Sequence, residues 1–184
     1  MGSSEKTKTL LANELKRKAH TLPLSKIRVV DLCAACGIDR RTFYYHFRDV
    51  YDLTAWTFNH AVDEFHPGID IVPGTKGIEI ILTKLREDAV FYRCALSEDS
   101  QNALGRHMLA HDIQIYENAL KNRFSLETLS EEDAFAIRHY CFGCLGMIRR
   151  WLFNDCTPPP AKMASLLISV MPPAIQNIFQ KEQP

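Results

Sequence analysis

The sequence lacks several features that mark whole classes of proteins. Only eight of its 184 residues are glycine, which excludes a collagen-like or glycine-rich chain. No charge-free apolar run reaches the length that a bilayer requires, and the nearest one, residues 163–180, is interrupted by Pro172 and Pro173. No basic segment followed by an apolar stretch stands near the first residue, so no signal peptide is expected. We therefore expect a cytoplasmic protein with no membrane partner.

Motifs of common enzymes and metal proteins are missing as well. The chain has no glycine-rich phosphate loop, no nucleophile elbow and no metalloprotease signature. Its cysteines are expected to be reduced thiols. The Cys33/Cys36 pair and the Cys141/Cys144 pair are far from each other in the sequence, and each lies within a predicted helix, so structural zinc is not expected. His107 and His111 are four residues apart on a predicted helix and could share a ligand or a metal, but surface or hydrogen-bonded histidines are the simpler interpretation. The expectation is a protein that is not an enzyme and that has no cofactor and no metal.

The charge that is present is unevenly spread. Hydrophobic residues make up 46% and charged residues 24%, an ordinary balance for a globular protein, and the formal net charge is zero. Residues 1–60 nevertheless hold ten Lys and Arg against six Asp and Glu, whereas residues 61–184 hold twelve against sixteen. A basic first third indicates contact with a polyanion at that end.

Apolar residues recur at helical spacing through most of the chain. Leu11, Leu15, Ala19 and Leu22 predict one face of a first helix that ends at Pro23. Two prolines and two glycines among residues 66–74 predict a linker. Further caps and breaks are Asp49 with Asp52, Thr75, the capping box of Ser130 and Asp133, and a kink or division at Pro172-Pro173. The sum is an all-α protein of roughly eight to ten helices.

Residues 27–47 have the pattern of a helix-turn-helix. An apolar stripe that includes Leu32 and Cys33 predicts a short helix, and Gly37 follows where helix ends favour glycine. Asp39 can then cap a second helix that starts at Arg40. Two short helices joined by such a turn form a unit common in DNA-binding proteins.

The second helix, residues 40–47, separates anchoring side chains from donors. Phe43 and Phe47 share one face and are expected to pack on the core. An alternative is that all four aromatic residues of this helix, at positions 43, 44, 45 and 47, are buried in the core. Four aromatics in five consecutive helical residues cannot all face one side, however. An α-helix fits the major groove, where arginine bonds guanine and other donors bond phosphates. We predict double-stranded DNA as a partner, contacted by Arg28, Arg40, Arg41, Thr42, Tyr44, Tyr45 and His46.

These residues resemble the DNA-binding signature of the TetR family of transcriptional regulators. The turn at residues 36–39 and the run Thr42-Phe43-Tyr44-Tyr45-His46-Phe47 carry the likeness, and Tyr51-Asp52-Leu53 resembles the start of the family's next helix. The same stretch also resembles the branch of DhaS-like regulators of dihydroxyacetone-kinase operons. Two positions depart from the pattern: Arg28 replaces a Ser or Thr cap, and Val50 replaces a lysine near the DNA backbone.

The resemblance implies a fold and a way of working. It implies an N-terminal three-helix DNA-binding domain, residues 1–65, and a larger C-terminal helical ligand-binding and dimerisation domain, residues 66–184. A homodimer would read a palindromic operator through helix 40–47. The C-terminal domain would control it by binding an unknown small-molecule effector or, alternatively, a protein co-regulator.

The two C-terminal helices are the expected dimer interface. They carry wide apolar stripes, and Gly143 and Gly146 would allow a partner helix to approach closely. Packing of both helices within their own chain is the alternative. The candidate interface residues are Tyr140, Cys144, Ile148, Trp151 and Leu167.

An effector pocket, if present, should lie among the middle helices. The candidates are Phe91, Met108, His111 and Phe142, although apolar and aromatic residues at helical spacing are more often plain core. A closed apolar cavity would favour a small effector, whereas an exposed apolar groove would favour a protein partner.

Overall fold

The computed structural model describes residues 3–63, 75–97 and 103–179, and every regular element within these ranges is helical. The helices are α1 Ser3–Ala19, α2 Val29–Cys36, α3 Arg40–His46, α4 Val50–Asp63, α5 Thr75–Glu87, α6 Ala89–Ser97, α7 Ala103–Phe124, α8 Glu131–Phe153, α9 Pro160–Ser169 and α10 Pro173–Phe179. A single turn of 3₁₀ helix, Leu24–Lys26, precedes α2. The predicted all-α fold is confirmed. In these ranges no helix combines the length and the apolar character needed to cross a bilayer.

The chain forms two compact units. The first contains α1 to α4 together with α6, and the second contains α5, α7 from Gly105 onward, and α8 to α10. The predicted linker at 66–74 lies outside the described residues. The domain boundary between residues 65 and 66 stays a prediction, and the structure groups α6 with the helices before that boundary.

The first unit is built around α1. Leu11 and Leu15 are fully buried on the predicted face of α1, which packs against α2, α4 and α6. Leu22 was expected on that same face, but it is exposed, because α1 already ends at Ala19. The ring of Tyr92 on α6 meets that of Phe58 on α4 edge to face at 6.4 Å. The aromatic contact explains why α6 belongs to this unit.

Charged and polar contacts also attach α6 to the first unit. Lys16 Nζ on α1 donates to Asp88 Oδ2, just before α6, at 2.5 Å. Cys94 Sγ on α6 donates to the carbonyl oxygen of Leu22 at 3.4 Å. Both bonds span 72 residues of sequence.

The second unit has its core between α7, α8 and α10. Its buried cluster is Tyr116, Leu120, Ile137, Tyr140, Cys141, Met171, Ala174 and Ile175. The hydroxyl of Tyr140 donates to the carbonyl oxygen of Leu167 on α9 at 3.0 Å, which satisfies a buried polar group. α9 also packs along α5. The predicted division at Pro172-Pro173 is confirmed, since α9 ends at Ser169 and α10 begins at Pro173.

Candidate nucleic-acid interface

The turn between α2 and α3 has the local structure that its sequence predicts. Gly37 has a φ of 65°, in the left-handed region that suits glycine at the end of a helix. The amide of Ile38 donates back to the carbonyl oxygen of Cys33 at 3.1 Å, which closes α2. Asp39 then caps α3, with its Oδ1 accepting from the amide of Thr42 at 2.6 Å. That hydrogen bond lowers the pKa of the Asp39 carboxyl, because it stabilises the charged form.

One side of α3 is anchored by phenylalanines. Phe43 is fully buried, and its ring lies 5.8 Å from the ring of Phe47, which is also buried. Phe47 in turn meets Trp56 of α4 at 5.8 Å. These contacts orient α3, so the direction in which its remaining side chains point follows from packing in the core.

The other side of α3 is exposed and rich in hydrogen-bond donors. Tyr45 is 81% exposed and Tyr44 is 51% exposed, which confirms that the aromatic cluster is divided between core and surface. Arg40 and Arg41 are exposed, whereas Thr42 and His46 are half-buried. The rings of Tyr45 and His46 pack edge to face at 4.9 Å. The structure therefore brings six of the seven predicted DNA contacts onto one short helix.

Arg28, the seventh predicted contact, is paired within its own chain. Its guanidinium donates to both carboxylate oxygens of Asp31, at 2.8 and 2.9 Å. The two hydrogen bonds lower the pKa of Asp31 and raise that of Arg28. The spacing of three residues on a helix could have suggested this pair from the sequence. Arg48, just after α3, forms a longer ion pair with Asp52, in which Nη2 lies 3.5 Å from Oδ1.

Comparison with known proteins identifies the family. A TetR-type family model, described as a transcriptional regulator C-terminal region, matches residues 75–172, which is more than half of the chain. The chain belongs to the TetR family of transcriptional regulators. The match begins at α5, whereas the resemblance at residues 26–53 lies before it, so two separate stretches indicate the same family.

Two solved structures of regulators share the fold of this TetR-family chain. Dihydroxyacetone kinase operon activator DhaS is 18% identical, with a TM-score of 0.65 over 94% of this chain and 96% of its own. The fatty acid degradation regulator FadR from Bacillus halodurans is 12% identical, with a TM-score of 0.54 over 98% and 99%. No curated protein matches the sequence. At these identities the likeness establishes the fold alone.

The predicted interface residues of this TetR regulator differ in their burial. Tyr140, Trp151 and Leu167 are enclosed by their own chain, and the indole Nε1 of Trp151 donates to the carbonyl oxygen of Pro158 at 2.6 Å. Cys144 and Ile148 are half-buried. A dimer role for these residues stays a prediction, but the first three already have their surface covered within the chain.

Their neighbours on the same two helices are exposed. We call these the C-terminal apolar face: Phe135, Phe142 and Met147 on α8, Leu166 on α9, and Val170 directly after α9. A groove of about 380 Å³ runs along this face, lined by Phe135, His139, Met147, Val170 and Pro172 among others. Gly143 and Gly146 have open space where a side chain would stand. The sequence predicted apolar stripes on these helices, but it did not indicate which of their sides is uncovered.

The four predicted pocket residues are not in equivalent surroundings. Phe91 is buried in the first unit beside Tyr92, with ring centroids 5.0 Å apart. Met108 is buried in the second unit. His111 lies in the same unit, with its Nδ1 3.5 Å from Oδ1 of the adjacent Asp112. Phe142 is 61% exposed, because it lies about 100° around α8 from the buried Cys141. Phe142 therefore belongs to the C-terminal apolar face and not to an interior pocket.

The cysteine and histidine pairs have the surroundings of structural residues. All six cysteines are free thiols, and burial raises the pKa of Cys36 and, to about 11, that of Cys144. A thiol held in its protonated form is a poor nucleophile and a poor metal ligand. The rings of His107 and His111 stack at 6.3 Å. Across the described ranges, His, Cys, Asp and Glu nowhere gather in the groups of three that would hold a metal.

Proposed function

We propose that this TetR-family chain is a homodimeric regulator that binds a palindromic DNA operator, with α3 in the major groove. The observation that carries the proposal is the exposed face of α3, which presents Arg40, Arg41, Tyr44 and Tyr45. The only carboxylate at this helix is that of Asp39, which caps its first turn. A short helix with this set of donors can enter the groove and bond both bases and phosphates. The burial of Phe43 and Phe47 supports the proposal, because it gives α3 one orientation.

Selection of bound fragments from genomic DNA tests the DNA-binding part. We expect fragments with a two-fold symmetric site and an affinity that falls steeply with salt. Arg40→Ala combined with Arg41→Ala is expected to weaken binding to the selected site at least tenfold, measured by fluorescence anisotropy.

Arg86→Ala is the matched control, because Arg86 is an exposed arginine of α5 in the other unit. It should leave the affinity unchanged. A wild-type protein that binds no fragment, or a double variant that binds as the wild type does, would contradict the proposal.

The dimer is proposed to form through the C-terminal apolar face. Five large apolar side chains lie uncovered there, on α8, on α9 and at Val170 directly after α9. Contact of such a patch with water is unfavourable in a single chain. The ends of α8 also differ in charge, with Glu131, Glu132 and Asp133 in the first turn and Arg150 in the last. An antiparallel pairing of two α8 helices about a two-fold axis would place opposite charges together.

Phe142→Glu tests this interface. The substitution puts a charge on the face, at a side chain that is 61% exposed in the single chain. We therefore expect monomers in sedimentation velocity at micromolar concentration, with helix content unchanged. Phe124→Glu is the control, since Phe124 is 49% exposed at the end of α7 and outside the face. If the Phe142 variant remains dimeric, the interface lies elsewhere.

We also propose that the second unit controls DNA binding. A molecule that binds one spacing of the two α3 helices better than another would shift the operator affinity by that difference. The names of the two similar structures describe an operon activator and a fatty acid degradation regulator, so regulators of this fold differ in what they control. For this chain we retain a small effector, with a protein co-regulator as the alternative. Operator affinity measured with and without cell metabolites tests the small effector.

A further inference from the structure

Arg40 is held differently from the other arginines of the helix-turn-helix. Its guanidinium carbon lies over the ring of Tyr44, 5.9 Å from the ring centroid. The Tyr44 ring itself packs edge to face on Phe43, with centroids 5.5 Å apart and planes at 86°. Because Phe43 is fully buried, two aromatic rings connect the Arg40 side chain to the core.

Two of the other three arginines of the motif are paired with carboxylates. Arg28 is bonded through two donors to Asp31, and Arg48 is paired with Asp52. The pKa of the Asp39 cap is lowered mainly by the bond from Thr42 and to a smaller extent by the charge of Arg41. Within the described residues, Arg40 forms no ion pair. Arg40 therefore differs from Arg28 and Arg48 in having no carboxylate on its guanidinium, and from Arg41 in lying over an aromatic ring.

The kind of partner determines what each guanidinium can offer DNA. A carboxylate occupies in-plane N–H groups, whereas an aromatic ring attracts the cation through its face and leaves the planar fork of donors open. Bidentate recognition of guanine O6 and N7 needs such an open, oriented fork. A side chain that is already oriented loses less conformational freedom when it binds.

Resting on the proposed DNA binding, we infer that Arg40 reads a guanine in each operator half-site and that Tyr44 is a positioning residue acting through Arg40. Arg41 contacts the phosphate backbone. The role of Tyr44 belongs to its ring, and the hydroxyl is not needed for base discrimination. The inference divides the exposed face of α3 into one base-reading arginine, its aromatic support, and one arginine that contributes charge.

The experiment measures discrimination and not affinity alone. The wild-type protein first yields an operator, and each guanine of a half-site is then replaced in turn. Dissociation constants are measured for the operator, the replaced operators and random duplex DNA. Arg40→Ala is expected to reduce the preference for operator over random DNA about ten- to hundredfold and to remove the penalty at one guanine. Arg41→Ala is expected to weaken binding to both DNAs alike and to lower the salt slope by about one.

Substitutions of Tyr44 separate its ring from its hydroxyl. Tyr44→Leu is expected to reduce the same preference about two- to fivefold, because the support of Arg40 is lost. Tyr44→Phe keeps the ring and should keep the preference, with any loss of affinity equal on both DNAs. In the double variant with Arg40→Ala, the Leu substitution should add nothing, since both act on the same contact.

Specific outcomes overturn the inference while leaving the proposed function intact. They are a Tyr44→Leu variant with wild-type preference, a Phe variant that loses as much as the Leu variant, or losses that add in the double variant. Arg40→Lys keeps the charge but removes the planar fork of donors, and it leaves Tyr44 in place. A wild-type preference for the operator in that variant would also overturn the inference. A wild-type protein that binds no DNA would instead contradict the proposed function. Helix content and melting temperature, measured for each variant, exclude loss of folding.

Discussion

At the scale of single residues, burial determines which side chains can meet a partner and which ones hold the chain together. Trp151 and Phe153 are two positions apart on α8, but Trp151 is enclosed and bonded to Pro158, whereas Phe153 is half exposed. Both are large and aromatic, so residue type does not distinguish their roles. The hydrogen bond from Trp151 ties the end of α8 to the segment that leads into α9, which is a structural role.

Trp151→Phe is expected to lower the free energy of unfolding by about 1–3 kcal/mol, because the carbonyl of Pro158 loses its donor. Urea denaturation at a fixed protein concentration measures the loss. Phe153→Leu is the control and should change stability by less than about 0.5 kcal/mol, as exposed substitutions usually do. Equal stability of wild type and Trp151→Phe would show that the bond contributes nothing.

At the scale of elements, the helix-turn-helix is defined by its ends. Gly37 closes α2 with a positive φ, and Asp39 opens α3 two residues later. The position of α3 therefore depends on a turn of very few residues, in which each has a defined backbone conformation. A change in this turn would move every donor on the exposed face of α3 together.

Gly37→Ala is expected to destabilise the protein by about 1 kcal/mol, since an L side chain is strained at this φ although nothing lies within 4 Å of the new Cβ. Gly37→Asn is the matched control, because asparagine adopts this conformation more readily, and its loss should be smaller. Thermal unfolding compares the two. Equal losses would argue against backbone strain as the cause.

At the scale of the whole molecule, the order of helices in the sequence differs from their grouping. α6 follows α5 directly, but it belongs to the first unit, whereas α5 belongs to the second. Phe91, Tyr92, Ala95 and Leu96 of α6 are all buried. We infer that the other helices of the first unit depend on α6 for part of their stability.

Tyr92→Ala is expected to destabilise the first unit by about 3–5 kcal/mol, as large-to-small changes in a core commonly do. Hydrogen exchange should show faster exchange of amides in α1 and α4. Val90→Ala on the same helix is the control, because Val90 is exposed, and it should leave that exchange unchanged. If the protection of α1 survives Tyr92→Ala, α6 contributes little to this unit.

Features that depend on neighbours in the sequence were predictable. The αL glycine at residue 37, the caps at Asp39 and Ser130, and the division before Pro173 all follow from backbone preferences of a few adjacent residues. The split of the α3 aromatics between core and surface followed from helical periodicity, because a rotation of about 100° per residue leaves no other arrangement. The resemblance to the family likewise rested on short runs of adjacent residues in and after the turn before α3.

Features that depend on which distant surfaces meet were not predictable. Leu22 lies outside α1, Phe142 faces outward while Cys141 faces inward, and α6 joins helices that are far from it in the chain. An apolar stripe on a helix states how much surface must be covered, but not by what. Packing against α7, α9 and α10 covers one part of α8 and leaves another part open. The amino-acid sequence alone thus specified several of the helix ends and which residues share a helix face. Which of those faces is buried was set by the tertiary structure, because the free energy of burial depends on contacts between segments far apart in the chain.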